Sequence, residues 1–519
     1  MRGVRNGVQQ SRSLHLVLFS PVRYSLRVGG LLLVTFFVSF SSTAAGYLQL
    51  NDRLQQAQAE VLRLHFDLAA PLLEQEARSA PNNLMAEAIR CKQLFLVAFV
   101  DEKETSQELF FKRSATLSAR LQKEVAEKEP LRGFVQAELL LLQVMLHAQQ
   151  QATLSAAIDL RSCRSLIEKN AKTFPSFLPN AMISGAVESV LGAVPVNYQW
   201  LLKLVGWEGD VEKGMSSMVD CLRRLPDSPY ESYTDEVLFL VGSLHNAITP
   251  DRLPDPILMQ RLQERYPTNE LLKYVYTGLL MKQGKNDAAL AVLMTPSDVS
   301  ASIKLTLLQY RRGLALLRKL DDRAGQEFLT FLRTNSNGNC VKAAWQKMAW
   351  WSLLKNDRYG YDRYMKYCIQ YGRSLIDEDK AALREAESGS VPNIILLRCR
   401  LLFDGGYYRQ AMQSIVGVPA DSFPTEKDKL ELTYRFARIL DAMERKDQAI
   451  FYYKLTLKNG QASTTYFAAN SALLLGNIYE KRGNREMAKA YYNDCLSMRN
   501  HDYQNSIDQK ARAGLQRCD

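Results

Sequence analysis

The sequence runs to 519 residues, with 47% hydrophobic and 23% charged side chains and a formal net charge of +11. That balance excludes a wholly disordered chain, and 17 prolines and 27 glycines over such a length leave long stretches suited to helix. The positive excess is not a nucleic-acid footprint. Five of the charges, Arg2, Arg5, Arg12, Arg23 and Arg27, precede the first acid, Asp52, which leaves +6 spread over the rest of the chain, where nucleic acid calls for a concentrated basic face.

Residues 1–45 read as an export signal: arginines, then the apolar run Leu31–Phe40, then small residues Ser41–Gly46 with cleavage ends at Ala44 or Ala45. An uncleaved anchor over 28–50 is the rival reading, because that stretch has no charge and is long enough to span a bilayer. Its second half is only mildly apolar, which favours cleavage. On either reading Asn51 onward lies outside the cytoplasm, in the periplasm or associated with the cell envelope, and membrane contact is confined to an uncleaved N-terminus. The first cysteine, Cys91, lies far beyond the apolar run, so no lipid-attachment cysteine follows it.

From residue 51 the pattern is helical throughout, in three predicted parts: atypical helical repeats over 51–190, divergent tetratricopeptide-like repeats over 191–390 and regular ones over 391–519. In the first, "LRGFVQAELLLLQVMLHAQQQ" has helical periodicity without a clear repeat match. In the second, "AVPVNYQWLLKLVGWEGDVEKGMSSMVDCL" reads as a helix hairpin. Pro195 stands at its entry, Tyr198, Leu202 and Val205 line the first helix, Gly209-Asp210 form the turn, Gly214 takes the small crossing position, and Met218 and Cys221 line the second helix. Trp200 and Trp207 are read as structural. Further on, "YVYTGLLMKQGKNDAALAVL" repeats the turn at Gly284 and the small residue at Ala289, and Gly313 and Gly325 occupy corresponding places.

The clearest unit is "SALLLGNIYEKRGNREMAKAYYNDCLSM". Gly476 and Ala488 let two antiparallel helices approach, Tyr479 and Tyr492 fill the space beside them, and Gly483 permits the turn. Ala411, Ala449 and Ala488 recur 38 and 39 residues apart, slightly longer than the period of about 34 for this repeat. The predicted fold is therefore all-α, a tetratricopeptide-repeat-like, right-handed superhelix of antiparallel helix hairpins.

The run from Phe174 to Met215, with Gly185, Gly192, Pro195, the aromatic helix Leu201–Gly206, Trp207 and Gly209-Asp210, resembles the tetratricopeptide-repeat family that includes the eukaryotic inclusion-body clearance protein. The resemblance implies a helical-repeat scaffold without known catalysis. The export signal departs from the cytosolic members, so the better match is an exported bacterial relative, to which lipid-droplet and inclusion-body roles do not transfer.

Nothing in the sequence calls for a cofactor or metal. The five histidines are scattered, no H-E-x-x-H, G-x-S-x-G, G-x-x-x-x-G-K-[ST] or G-x-G-x-x-G occurs, and the eight cysteines form no C-x-x-C pair and are expected as packed free thiols. One constellation carries a binding hypothesis. Tyr364, Tyr367 and Tyr371 share a helix face with Arg363 and Lys366 nearby, residue types enriched at binding hot spots, although tyrosines packed between repeats give the same pattern. The sequence thus predicts a non-enzymatic scaffold or adaptor of the cell envelope with protein or peptide partners and no nucleic acid. The alternative is a SusD-like nutrient (glycan) binding protein of the outer membrane, against which the missing lipid-attachment cysteine counts. N-terminal sequencing of the protein recovered from membranes is expected to begin just after Ala44 or Ala45; a chain that still contains Arg27 would establish the anchor instead.

Overall fold

Polar residues just ahead of apolar periodic runs start many of the helices. Asn51, Asp210, Asn269, Asp357, Asn393, Thr425 and Asn484 each accept a hydrogen bond from a first-turn backbone N–H, satisfying a donor the helix itself leaves open. The computed structural model describes residues 47–194, 207–249, 252–296, 298 and 300–518. Among them are twenty-four α-helices, three single 3-10 turns and no strand. The helices follow one another as antiparallel hairpins, from Asp52–Leu62 with Phe66–Ser79 to Phe467–Lys481 with Arg485–Ser497, and Gln504–Cys518 closes the stack. The all-α hairpin architecture is the one the sequence predicts. Among the described residues no helix is long and apolar enough to cross a membrane. The export segment at 1–45, the anchor segment 28–50 as far as residue 46, and the stretch carrying Pro195, Tyr198, Trp200, Leu202 and Val205 lie outside the described residues.

The small residues mark where helices meet. A Cβ on Gly214 would lie 2.5 Å from the Gly185 carbonyl oxygen and 2.6 Å from the Ser189 nitrogen, so Val211–Arg224 crosses Asn180–Gly192 backbone against backbone. Gly209 approaches the Gly192 nitrogen in the same way, while Asp210 caps the following helix. Ala411, Ala449 and Ala488 are fully buried at their crossings. Tyr492 wedges its ring between Gly476 and Gly514, where added methyls would sit 2.5 and 2.4 Å from ring carbons. Tyr479 is half-buried, packs against the cluster that holds Ala488 and Tyr492, and stacks on Tyr491 at 5.5 Å. Met218 and Cys221 are buried, and all eight cysteines are free.

One hydrophobic core runs from Leu48 to Leu401, and the hairpins after it carry three smaller clusters of their own. Several ties bring distant hairpins together. His65 bridges Glu60 and Asp298, each at 2.7 Å. Burial alone would lower its pKa, but the hydrogen bonds to the two carboxylates outweigh this and hold it above the ordinary value. The Glu102 carboxylate accepts from the backbone and side-chain nitrogens of Asn339. Further along, the turns at Gly284 (φ +69°) and Gly406 (φ +80°) press together, with a Cβ on Gly406 falling 1.9 Å from the Gly284 carbonyl oxygen. Asn286 donates to the Tyr407 hydroxyl at 3.0 Å, and that hydroxyl donates to Asp287 at 2.8 Å.

Gly483 has a similar positive φ of +75° but open space around it. Alanine there is expected to cost about 1 kcal/mol for its backbone conformation alone. Gly406→Ala adds a backbone overlap and is expected to cost roughly 3 kcal/mol or more. Thermal unfolding of the two variants separates the terms; equal losses would show that the turn-to-turn contact contributes nothing.

Candidate functional site

A cleft of about 420 Å³ opens among the first helices of successive hairpins and the single helix Asp377–Ser388, which packs on the hairpin Val341–Gln370. Its walls come from Leu307–Arg318, Val341–Leu354, Asp377–Ser388, Ile394–Asp404 and Glu426–Ala442, and Tyr466 and Tyr503 stand at one end. None of the lining residues lies on the second helices Ala324–Thr334, Arg358–Gln370, Tyr408–Ile415, Lys446–Asn459 or Arg485–Ser497, so this is the inner surface of the superhelix. Arg318 and Asp404 also line a second cavity of about 540 Å³, beside Gly284, Phe403, Tyr408 and Arg438. The two cavities therefore adjoin at these residues, the second lying beside the hairpin turns.

Trp350 organises the cleft. Its indole N–H donates to Glu385 at 2.6 Å, and the other Glu385 oxygen accepts from Gln346 at 2.7 Å. The Lys347 ammonium lies 4.1 Å and the Arg400 guanidinium 4.9 Å from the Trp350 ring, distances at which a cation is drawn to the aromatic face. Burial first, and then the neighbouring Arg400 charge, push the Lys347 pKa down to about 8. Arg400 itself meets Asp404 only at 3.9 Å. Arg435 is better partnered, with Glu431 at 2.6 Å, and Arg384 stacks on Tyr503 at 5.2 Å. The groups offer charge and aromatic faces to the cleft.

The tyrosines singled out from the sequence do come together, but on the second helix of a hairpin and outside this cleft. Tyr364, Tyr367 and Tyr371 pack around Trp345 with ring centres 5.8, 5.0 and 6.3 Å from it. Tyr364 and Tyr367 are half-buried, and Tyr371 is 42% exposed. Arg363 stacks on Tyr364 at 4.9 Å, and Lys366 is exposed beside them. Rings this close touch one another and leave no slot between them, so the group forms an aromatic ridge rather than a cage.

A second set of charges lies deep in the N-terminal half. The Lys92 ammonium pairs with Glu138 at 2.9 Å and Glu236 at 2.8 Å among Phe95, Leu96, Leu141, Met182 and Phe239. The space beside them is only about 30 Å³, room for about two waters. Burial, and then the Glu236 charge, raise the Glu138 pKa well above the ordinary range, and the two carboxyls share a hydrogen bond. Among the described residues no group of three or more histidine, cysteine, aspartate or glutamate side chains is arranged to hold a metal.

The repeat grammar is matched directly over residues 469–502, which fit the tetratricopeptide repeat family. The chain is an all-helical stack of hairpins in which residues 469–502 form a tetratricopeptide repeat. No curated protein matches the sequence. Among solved structures, the human IFIT1 dimer with PPP-AAAA aligns over 86% of this chain and 95% of its own at 13% identity, with a TM-score of 0.32. The APC/C hetero-tetramer Cut9–Hcn1 aligns over 90% of this chain and 96% of its own at 10% identity, with a TM-score of 0.24.

Lys92→Met leaves two carboxyls buried without their cation and is expected to lose about 3–5 kcal/mol of stability. Burial raises the Glu138 pKa, so Glu138→Gln, which keeps the shape and removes the charge, is expected to cost less than Lys92→Met, by about 2 kcal/mol or more. Urea unfolding at pH 7 reads both. Similar losses would show that the Glu138 charge matters as much as the Lys92 cation.

Proposed function

We propose that the protein is a non-enzymatic scaffold of the cell envelope that holds an extended segment of a partner protein along the inner groove. The observation that carries this reading is the groove itself. It is walled mainly by the first helices of four hairpins, combines cations with aromatic rings, and adjoins a second cavity at Arg318 and Asp404. Repeat superhelices use extended concave surfaces of this kind for binding. Export rests on the arginine-led apolar segment and small residues within 1–45. The glycines Gly185, Gly192, Gly209 and Gly214, each at a close backbone approach, support kinship with the inclusion-body clearance group as an exported relative.

Selection of a random peptide library on the full chain, with a glycan array in parallel, tests the function. Recovered peptides are expected to slow amide exchange in Ile394–Asp404 and Glu426–Ala442. Glycan binding without any peptide that protects these helices would replace the scaffold reading with the nutrient-binding one.

A further inference from the structure

Resting on that reading, we infer that the groove selects an internal acidic segment bearing an aromatic residue, whose carboxylates seat at Lys347, Arg400 and Arg384. Three of the six acids that line the cleft are engaged already. Both Glu385 oxygens accept hydrogen bonds, Glu431 pairs with Arg435, and Asp428 accepts from the Thr425 hydroxyl at 2.8 Å. The cations lack carboxylate partners. Among the described residues Lys347, Arg384 and Arg318 form no ion pair, Lys347 donating instead to the neutral Gln346 amide oxygen, and Arg400 has only the distant contact to Asp404. A ligand that supplies carboxylates completes the arrangement. The Arg384–Tyr503 stack and the edge-on Tyr466–Tyr503 pair at 5.4 Å offer an aromatic partner surface beside them.

An internal segment fits better than a chain end, because a second cavity adjoins the cleft at Arg318 and Asp404 and gives the segment room to continue. A peptide fits better than RNA. Glu378 and Asp502 also line the cleft, with no ion pair among the described residues, and a continuous phosphate backbone would meet them in turn, whereas carboxylates spaced by neutral residues need not. Lys347 gives this site a signature. Its surroundings are Arg400 on Ile394–Asp404, Glu378 and Glu385 on Asp377–Ser388, and Cys368 on Arg358–Gln370. With its pKa at about 8, the amine is partly deprotonated in mildly alkaline solution, and a carboxylate seated beside it draws the proton back.

The test uses peptides recovered from the random library on the full chain. They are expected to be rich in aspartate, glutamate and aromatic residues. Their binding near pH 8 is expected to take up protons, seen as a calorimetric heat that depends on the ionisation enthalpy of the buffer. Lys347→Arg should keep binding within about threefold and abolish the buffer dependence, while Lys347→Glu should weaken it about tenfold or more. Arg384→Glu, at an exposed position that the fold does not need, should weaken it in the same direction. Peptides that protect the groove but carry no acidic excess, or that bind Lys347→Glu and Arg384→Glu as well as the unaltered chain, overturn the acidic preference and leave the scaffold reading standing. Failure of every recovered peptide to protect the groove overturns both. Tighter binding of oligoadenylate than of any peptide makes the groove a nucleic-acid site instead.

Discussion

Two glycine turns, at Gly284 and Gly406, meet with no side chain between them, and the geometry of the C-terminal half follows from that contact. Both residues have positive φ, and the space between their backbones is too small for a methyl group. Without this approach the hairpin Ile394–Ile415 would not rest on Glu270–Leu293, and the cavity that begins beside Gly284 and Tyr408 would lose a wall. The Asn286–Tyr407–Asp287 hydrogen bonds fix the register of the two turns. Hydrophobic burial supplies most of the free energy of folding, but it is non-directional. The polar and backbone contacts decide where one hairpin stops against another.

The N-terminal half is held by the same kind of contact. His65 reaches Asp298, Glu102 holds Asn339, and Lys380 donates to Gln151, all across more than two hundred residues of sequence. A solenoid built only from nearest-neighbour packing would show none of these. The superhelix therefore curls until early hairpins rest on later ones, which is consistent with one hydrophobic core reaching from Leu48 to Leu401.

Local features of the sequence were legible because their causes are local. Gly214, Ala411, Ala449, Ala488 and Gly476 stand at helix crossings where only small side chains fit, and Gly483 sits in a turn with positive φ. The crossing partner of Gly214 was less accessible. The described partner is Asn180–Gly192, which spacing within a single hairpin does not identify. The aromatic ridge was half visible: helical periodicity brings Tyr364, Tyr367 and Tyr371 onto one face, but Trp345 joins them from the preceding helix. The cleft was not visible at all. Lys347, Trp350, Arg384 and Arg400 come from three separate helices whose relative placement is set by tertiary packing, and no short window of sequence encodes it. The only local hint is the pair Trp350-Trp351, two bulky indoles that must point to different sides of one helix.

The buried cysteines have a separate consequence. Burial pushes the thiols of Cys91, Cys163, Cys368 and Cys495 up to about 12, and those of Cys221 and Cys399 up to about 11. Thiols in that state are poor nucleophiles, and they are distributed from the early hairpins to the last ones. Each becomes reactive only when its own hairpin opens, so the chain carries a series of internal clocks. The order in which a thiol reagent labels them records the order in which the superhelix unwinds.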